Sequence, residues 1–251
     1  MVDPFLILTP LLLLAIVALL GFAGCRFTPG ATATGVSNVQ TVVQSAAAGT
    51  NSVTAAALSL QGGEVIIAAV QWSSGVAIPE TPALSGAAFS PVAGGGPFAW
   101  DVMSVQIFSA LNPAGNTQLA VTASLPRNSN VPWNLCVSAY DGADEDAPFY
   151  SPQTSKLNYV GNNPQTPSLS IGTGDLVYAV AFGANSDGTF PGNNSLTAGP
   201  GFTAEFPTIT NPLVEDGGGS NPVVAQVTNT NSDPNAKGFI FAMGLKAAPQ
   251  S

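Results

Sequence analysis

The chain contains no histidine in 251 residues. That removes Ser–His triads, Cys–His dyads and imidazole-ligated metals in their common forms. Cysteine is scarce: Cys25 and Cys136 are the two present, too few for a Cys-based zinc site. Positive charge is scarce as well, with five Lys and Arg against fourteen Asp and Glu and a net charge of −9. Nucleic-acid binding needs Lys and Arg to displace counterions from phosphate, and docking on anionic lipid needs the same residues, so both are disfavoured. Charged residues make up 8% of the chain, against roughly 25% in ordinary soluble domains. No G-x-S-x-G elbow or P-loop occurs. The glycine runs at 94–96 and 217–219 lack a following helix or Lys and read as loops. After residue 30 no segment keeps a 3.6-residue apolar period, so the spacing predicts no helix there.

What the chain does have begins with an uncharged apolar run of 21 residues at 4–24, PFLILTPLLLLAIVALLGFAG. At about 1.5 Å per residue such a run spans roughly 30 Å, the thickness of a hydrocarbon core. Its position near the start reads as an export signal. Phe22-Ala23-Gly24-Cys25 resembles the lipobox of bacterial lipoproteins. That resemblance implies lipidation at Cys25, with the membrane as partner through the N-terminus. Phe22 stands where Leu is usual, the opening Met1-Val2-Asp3 carries an acid and no base, and Arg26 follows the run. An uncleaved anchor helix and an ordinary cleaved signal therefore stay open beside the lipoprotein reading. Residues 1–25 are the signal or anchor segment, and the Gly/Thr/Pro-rich residues 26–36 are a tether. With Cys25 lipidated, Cys136 is a buried, unpaired thiol in a strand.

The remainder is rich in Gly, Pro and strand-forming residues, the profile of an extracellular all-β protein. Strands are predicted at 39–43, 52–60, 64–72, 102–108, 119–125 and 135–140. Residues 64–72, EVIIAAVQW, form the continuous apolar run expected of a strand buried on both faces. Residues 63–70 match 174–181, and 84–90 match 196–203 with one insertion; 101–108 then falls opposite 222–228, and 135–140 opposite 238–245. The expected fold is an antiparallel β-sandwich at 37–247, jelly-roll or immunoglobulin-like, from pseudo-repeated halves at about 37–143 and 147–247. The joint is expected near 144–156. One fused sandwich and two in tandem both fit.

Gly174-Asp175-Leu176, Ala198-Gly199-Pro200-Gly201-Phe202-Thr203 and the apolar residues 239–245 resemble segments shared by a loose set of secreted bacterial β-sandwich proteins of unassigned function. The resemblance implies fold and export and carries no active site.

Several residues are candidates for chemistry. Asp141, Asp144, Glu145 and Asp146 crowd four carboxylates into six residues. Asp141, Asp144 and Asp146 could supply oxygens to a structural calcium ion, which takes about six to eight, although the order is wrong for an EF-hand and a solvated turn is the plainer reading. No other cofactor is expected. Glu215-Asp216 reads as a second small acidic loop. Glu64 and Asp175, at equivalent strand starts, could pair across a glycosidase cleft, but read better as edge charges that discourage strand pairing. Trp72, Trp100, Trp133, Tyr140, Tyr150 and Tyr159 could stack on sugar rings. Trp72 and Trp133 lie in or beside apolar strands and read as core; Trp100 is the best exposed binding candidate, followed by Tyr150 and Tyr159. The expectation is a non-enzymatic, exported surface protein of the cell envelope with a structural or adhesive role. The alternatives are a carbohydrate-binding module and a carboxylate-dependent glycoside hydrolase; a glycan or a surface protein is the expected partner.

Overall fold

A computed structural model describes residues 35–73, 81–100, 103–112, 118–160, 163–184, 196–206, 211–218, 221–230 and 235–249, with backbone alone at 73, 100, 103, 151–160 and 184. Residues 1–34, with the expected signal or anchor segment, Cys25 and most of the expected tether, lie outside the described residues. Among those described there is no helix, and every strand pairing is antiparallel.

In the first half the strands are β1 (Ser37–Ala46), β2 (Ser52–Thr54), β3 (Leu58–Ser59), β4 (Val65–Ser73), β5 (Ala83–Ser85), β6 (Ser90–Pro91), β7 (Phe98–Trp100), β8 (Met103–Leu111), β9 (Gln118–Leu119), β10 (Thr122–Ser124) and β11 (Trp133–Asp141). In the second they are β12 (Phe149–Val160), β13 (Leu176–Ala184), β14 (Leu196–Ala198), β15 (Phe202–Ala204), β16 (Leu213–Gly217), β17 (Val227–Asn229) and β18 (Lys237–Leu245). One large sheet has the order β1-β11-β4-β8-β6, with β7 also on β8; the other has β12-β18-β13-β16-β15. The orders match strand for strand: β1 with β12, β11 with β18, β4 with β13, β8 with β16 and β6 with β15.

These two sheets lie face to face. Val65, Ile67, Ala69, Ile107, Cys136 and Tyr140 of the first share one core with Tyr178, Val180, Phe182, Phe239, Phe241 and Met243 of the second. Each sheet is covered again on its outer side. Ile66, Ala68, Val70, Trp72, Trp133 and Leu135 pack under the short strands β2, β3, β5, β9 and β10, with Val53, Leu58, Leu119 and Ala123 facing them. On the far side, Val177, Ala179, Ile240 and Ala242 pack with Leu196, Val227, Leu169 and Val223 around the β14–β17 pair. The result is a four-layer, sandwich-like stack in which the central strands of the two middle sheets are covered on both faces. Strands β4 and β11 therefore bury alternate side chains in different cores, which is why 64–72 is apolar throughout instead of alternating. Trp72 and Trp133 sit in the core, as their strand context indicates, and Cys136 is a buried free thiol.

Four expectations change. Counting along the paired registers, β8 corresponds to β16, not to residues 222–228, which lie in the outer layer like β10. The 144–156 joint is not a connection throughout, because β12 begins at Phe149 and forms the edge of the second sheet. Glu64 and Asp175 stand at the starts of β4 and β13, which are interior strands with neighbours on both sides, so neither guards an edge. Glu215-Asp216 is no loop: it lies within β16, which is buried along its length.

Candidate functional site

Strand β16 places Leu213 and Glu215 toward the outer core of the second half, and Val214 and Asp216 toward the seam between the two large sheets. Glu215 is fully buried and Asp216 is 8% exposed. Glu205 follows β15 directly, its amide bonded to the Val214 carbonyl at 3.0 Å. Register places Glu205 and Asp216 diagonally on the same face of the β15–β16 pair, close enough for the two carboxyls to act on each other. Tyr178 is the register partner of Asp216 on β13. Across the seam stands Tyr140, fully buried, its ring edge-on to Tyr178 at 6.1 Å between centroids. The hydroxyls of Tyr140 and Tyr178 and Asp216 Oδ2 have no hydrogen-bond partner.

Burial drives the electrostatics. It pushes Asp216 up to about 8, and the neighbouring Glu205 carboxylate adds to the rise. It pushes Glu215 up to about 8 as well, against the opposing Gly199 amide, which donates to Glu215 Oε2 at 3.2 Å. Glu205 is raised by burial, partly offset by the neighbouring Asp216 carboxyl. Tyr140 and Tyr178 are raised far above the ordinary phenol range by desolvation, and burial likewise lifts the Cys136 thiol. Desolvation penalises the charged form of each group, and among the described residues no basic side chain contributes a compensating charge to the three acids. At neutral pH this corner of the seam is a set of proton-bearing groups in a dry setting. What it can do chemically is hold and release protons.

The groups singled out by sequence lie elsewhere. Asp141 and Asp146 are exposed and Asp144 is half-buried. Asp141 Oδ1 accepts from the Gly142 amide at 2.7 Å, and Asp144 Oδ1 from the amides of Asp146 and Ala147 at 3.1 and 3.2 Å, so these carboxylates stabilise the turn that joins the halves. Among the described residues no three His, Cys, Asp or Glu side chains are grouped to hold a metal ion. The side chains of Trp100 and Tyr159 lie outside the described residues. Tyr140, one of the six aromatics with a sugar-stacking reading, is buried in the seam. Tyr150 is half-buried. Its hydroxyl donates to Asp175 Oδ2, and Lys246 Nζ sits 5.3 Å from its ring centroid.

Glu64 and Asp175 do the same job in the two halves. Glu64 accepts from the amides of Gln61 at 2.6 Å and Gly62 at 2.8 Å and from Asn112 Nδ2 at 2.8 Å. Burial raises its pKa, but these donors, Asn112 foremost, outweigh burial and hold it below the usual carboxylate range. Asp175 accepts from the Gly172 amide at 2.6 Å and the Ala247 amide at 2.7 Å. Both acids tie the turn before an interior strand to a neighbouring segment. Asp175→Ala would orphan those donors, and a loss of about 2 kcal/mol is expected in urea unfolding; a change below about 0.5 kcal/mol would mean the strut is idle.

Sequence reasoning missed Glu205 and misplaced Asp216. The one available signal was Leu-Val before Glu-Asp-Gly, two strand-forming residues running into acids, and it reads equally well as a loop entry. No protein-family model matches the chain, and no curated protein matches its sequence.

Proposed function

We propose that the chain is an exported surface protein, held at the membrane through its leader, that works by presenting a rigid body rather than by turning over substrate. The body is read as two sandwich halves of the jelly-roll or immunoglobulin-like kind. The observation that carries this reading is the use made of the polar groups. Glu64, Asp175 and the Tyr150 hydroxyl, the groups best suited to bind or cleave a ligand, serve instead as struts between turns and backbone. The apolar run at 4–24 and the lipobox-like Phe22-Ala23-Gly24-Cys25 support export and tethering. The resemblance to secreted bacterial β-sandwich proteins points the same way.

The test is fractionation of expressing cells, followed by mass spectrometry of the membrane-bound chain. A lipid-bearing N-terminus at Cys25, or an intact apolar leader in the membrane fraction, is the expected result. Recovery of the body in the cytosol would remove the reading. A glycan array run with the wild type and Trp100→Ala is expected to show no binding. A glycan bound by the wild type and lost in the variant would replace a structural or adhesive role with carbohydrate recognition.

A further inference from the structure

The two halves of the molecule provide an internal control for the acid pair. With Tyr178 equivalent to Ile67, the paired registers make Val214 equivalent to Ile107 and Asp216 equivalent to Ser109. The β15–β16 and β6–β8 pairings extend the match. Thr203 falls on Ser90, and Glu205 falls on Val92. A backbone bond repeats the correspondence: the Glu205 amide donates to Val214 at 3.0 Å, and the Val92 amide donates to Ile107 at 3.0 Å. Across the seam, Tyr140 is equivalent to Leu245. The same backbone thus accepts Val92 and Ser109 in one half and Glu205 and Asp216 in the other. Val92 is buried in the seam core. The fold does not need acids at these positions, yet one corner has them, facing a buried hydroxyl with no partner of its own.

We propose that Glu205 and Asp216 form a proton-operated clasp that holds the edge strand β15 to β16 where they line the seam, closed while the pair carries its proton and loosened when the proton leaves. Every group facing the pair favours this behaviour. Glu215 lies one residue away on the opposite face of β16, and its charge adds to the repulsion. Tyr178 on β13 and Tyr140 on β11 offer hydroxyls held neutral by burial, and Cys136 on β11 offers a buried thiol close to Tyr178. Asn38 on β1, the register partner of Tyr140, is neutral. None of these is a cation. Removal of the proton leaves two neighbouring carboxylates with no counter-charge among the described residues, a state that water entry at the seam relieves. Glu205 is half-buried, which gives the proton its exit. Strand β15, three residues long and at the edge of its sheet, is the element that can yield.

The sign follows from linkage. The folded pair holds its proton to a higher pH than the unfolded chain does. Its contribution to stability is therefore full below the unfolded carboxyl range, about pH 4, falls as pH rises, and is gone above the folded value. The experiment compares the full chain in detergent with Glu205→Val/Asp216→Ser, which installs the residues of the sister half. Thermal unfolding is followed from about pH 5 to about pH 9. The wild-type midpoint is expected to drop steadily over that range, and the double variant to lose about half of the slope, because buried Glu215 is retained and supplies the rest. Alkylation of Cys136, counted separately from Cys25 by peptide mass, reads seam opening directly. At about pH 9 Cys136 of the wild type should react about tenfold faster than in the variant, with equal rates at about pH 6. If the double variant does not fold, Glu205→Gln/Asp216→Asn makes the same comparison. Equal slopes and equal Cys136 rates would overturn the proposal. So would a wild-type midpoint at about pH 9 that rises with calcium while the variant's does not, since the pair would then be a cation site.

Discussion

Phe241→Ala will lower the stability of the body by about 3–5 kcal/mol, read from the midpoint and amplitude of chemical unfolding. Phe241 is fully buried near the centre of β18, the strand between β12 and β13. Its ring lies 6.0 Å from that of Phe98, which is also 5.3 Å from Phe239, so aromatic rings from both halves meet there. The strand position equivalent to Phe241 in the first sheet holds Cys136, a much smaller side chain. At this level the seam is filled mainly from the second sheet, and truncation leaves a hole that Cys136 and Ala69 of the first are too small to close. Phe241→Leu, which keeps most of the volume, should cost less than half as much. A loss below about 1 kcal/mol for the alanine variant would show that the two large sheets are not packed as described.

The second large effect comes from two glycines in matching places. A Cβ on Gly86, just after β5, would lie 2.2 Å from the Ala120 carbonyl oxygen, and one on Gly199, just after β14, would lie 2.2 Å from the Gln226 carbonyl oxygen. Each glycine lets an outer-layer strand leave its partner, β10 or β17, without collision. Gly86 also holds a φ of +111°, which side-chain-bearing residues rarely adopt. Gly86→Ala and Gly199→Ala are each expected to cost about 3 kcal/mol or more, since backbone atoms must move in both. Gly49→Ala and Gly201→Ala are the controls. Both have positive φ but open space where the Cβ would go, and should cost only about 1 kcal/mol. If all four variants lose the same amount, close approach is not what Gly86 and Gly199 provide.

Much of the middle of the molecule is legible in the sequence. Residues 64–72 announce a strand buried on both faces because each face meets its own core. The Gly63-Glu64 and Gly174-Asp175 starts mark the equivalent strands β4 and β13. Trp72 and Trp133 are placed correctly by the apolar company they keep. Strand β12 is not legible, because FYSPQTSKLNYV contains Pro152 and Lys156 and lacks an apolar alternation; its pairing comes from β18, almost ninety residues later. The acid pair is hidden for a related reason. Glu215-Asp216 before three glycines has the composition of a turn, and the pairing with β13 and the facing Tyr178 and Tyr140, both distant in sequence, make it the interior of a sheet. The visible charge at 141–146 is the solvated part, and the charge that matters electrostatically is dispersed over Glu205, Glu215 and Asp216.

The register also sets an order of events for the chain as it is made or threaded. Strand β1 pairs with β11, Ser37 against Asp141, and β12 pairs with β18, Phe149 against Leu245. The first sheet can close once Asp141 has emerged, but its inner face has nothing to cover it until the last strand of the second sheet arrives, about a hundred residues later. Contacts this distant make assembly slow and leave an oily surface bare in the meantime. Until the second sheet closes, that face is open to self-association, and the length of the delay is written into the spacing between the two halves.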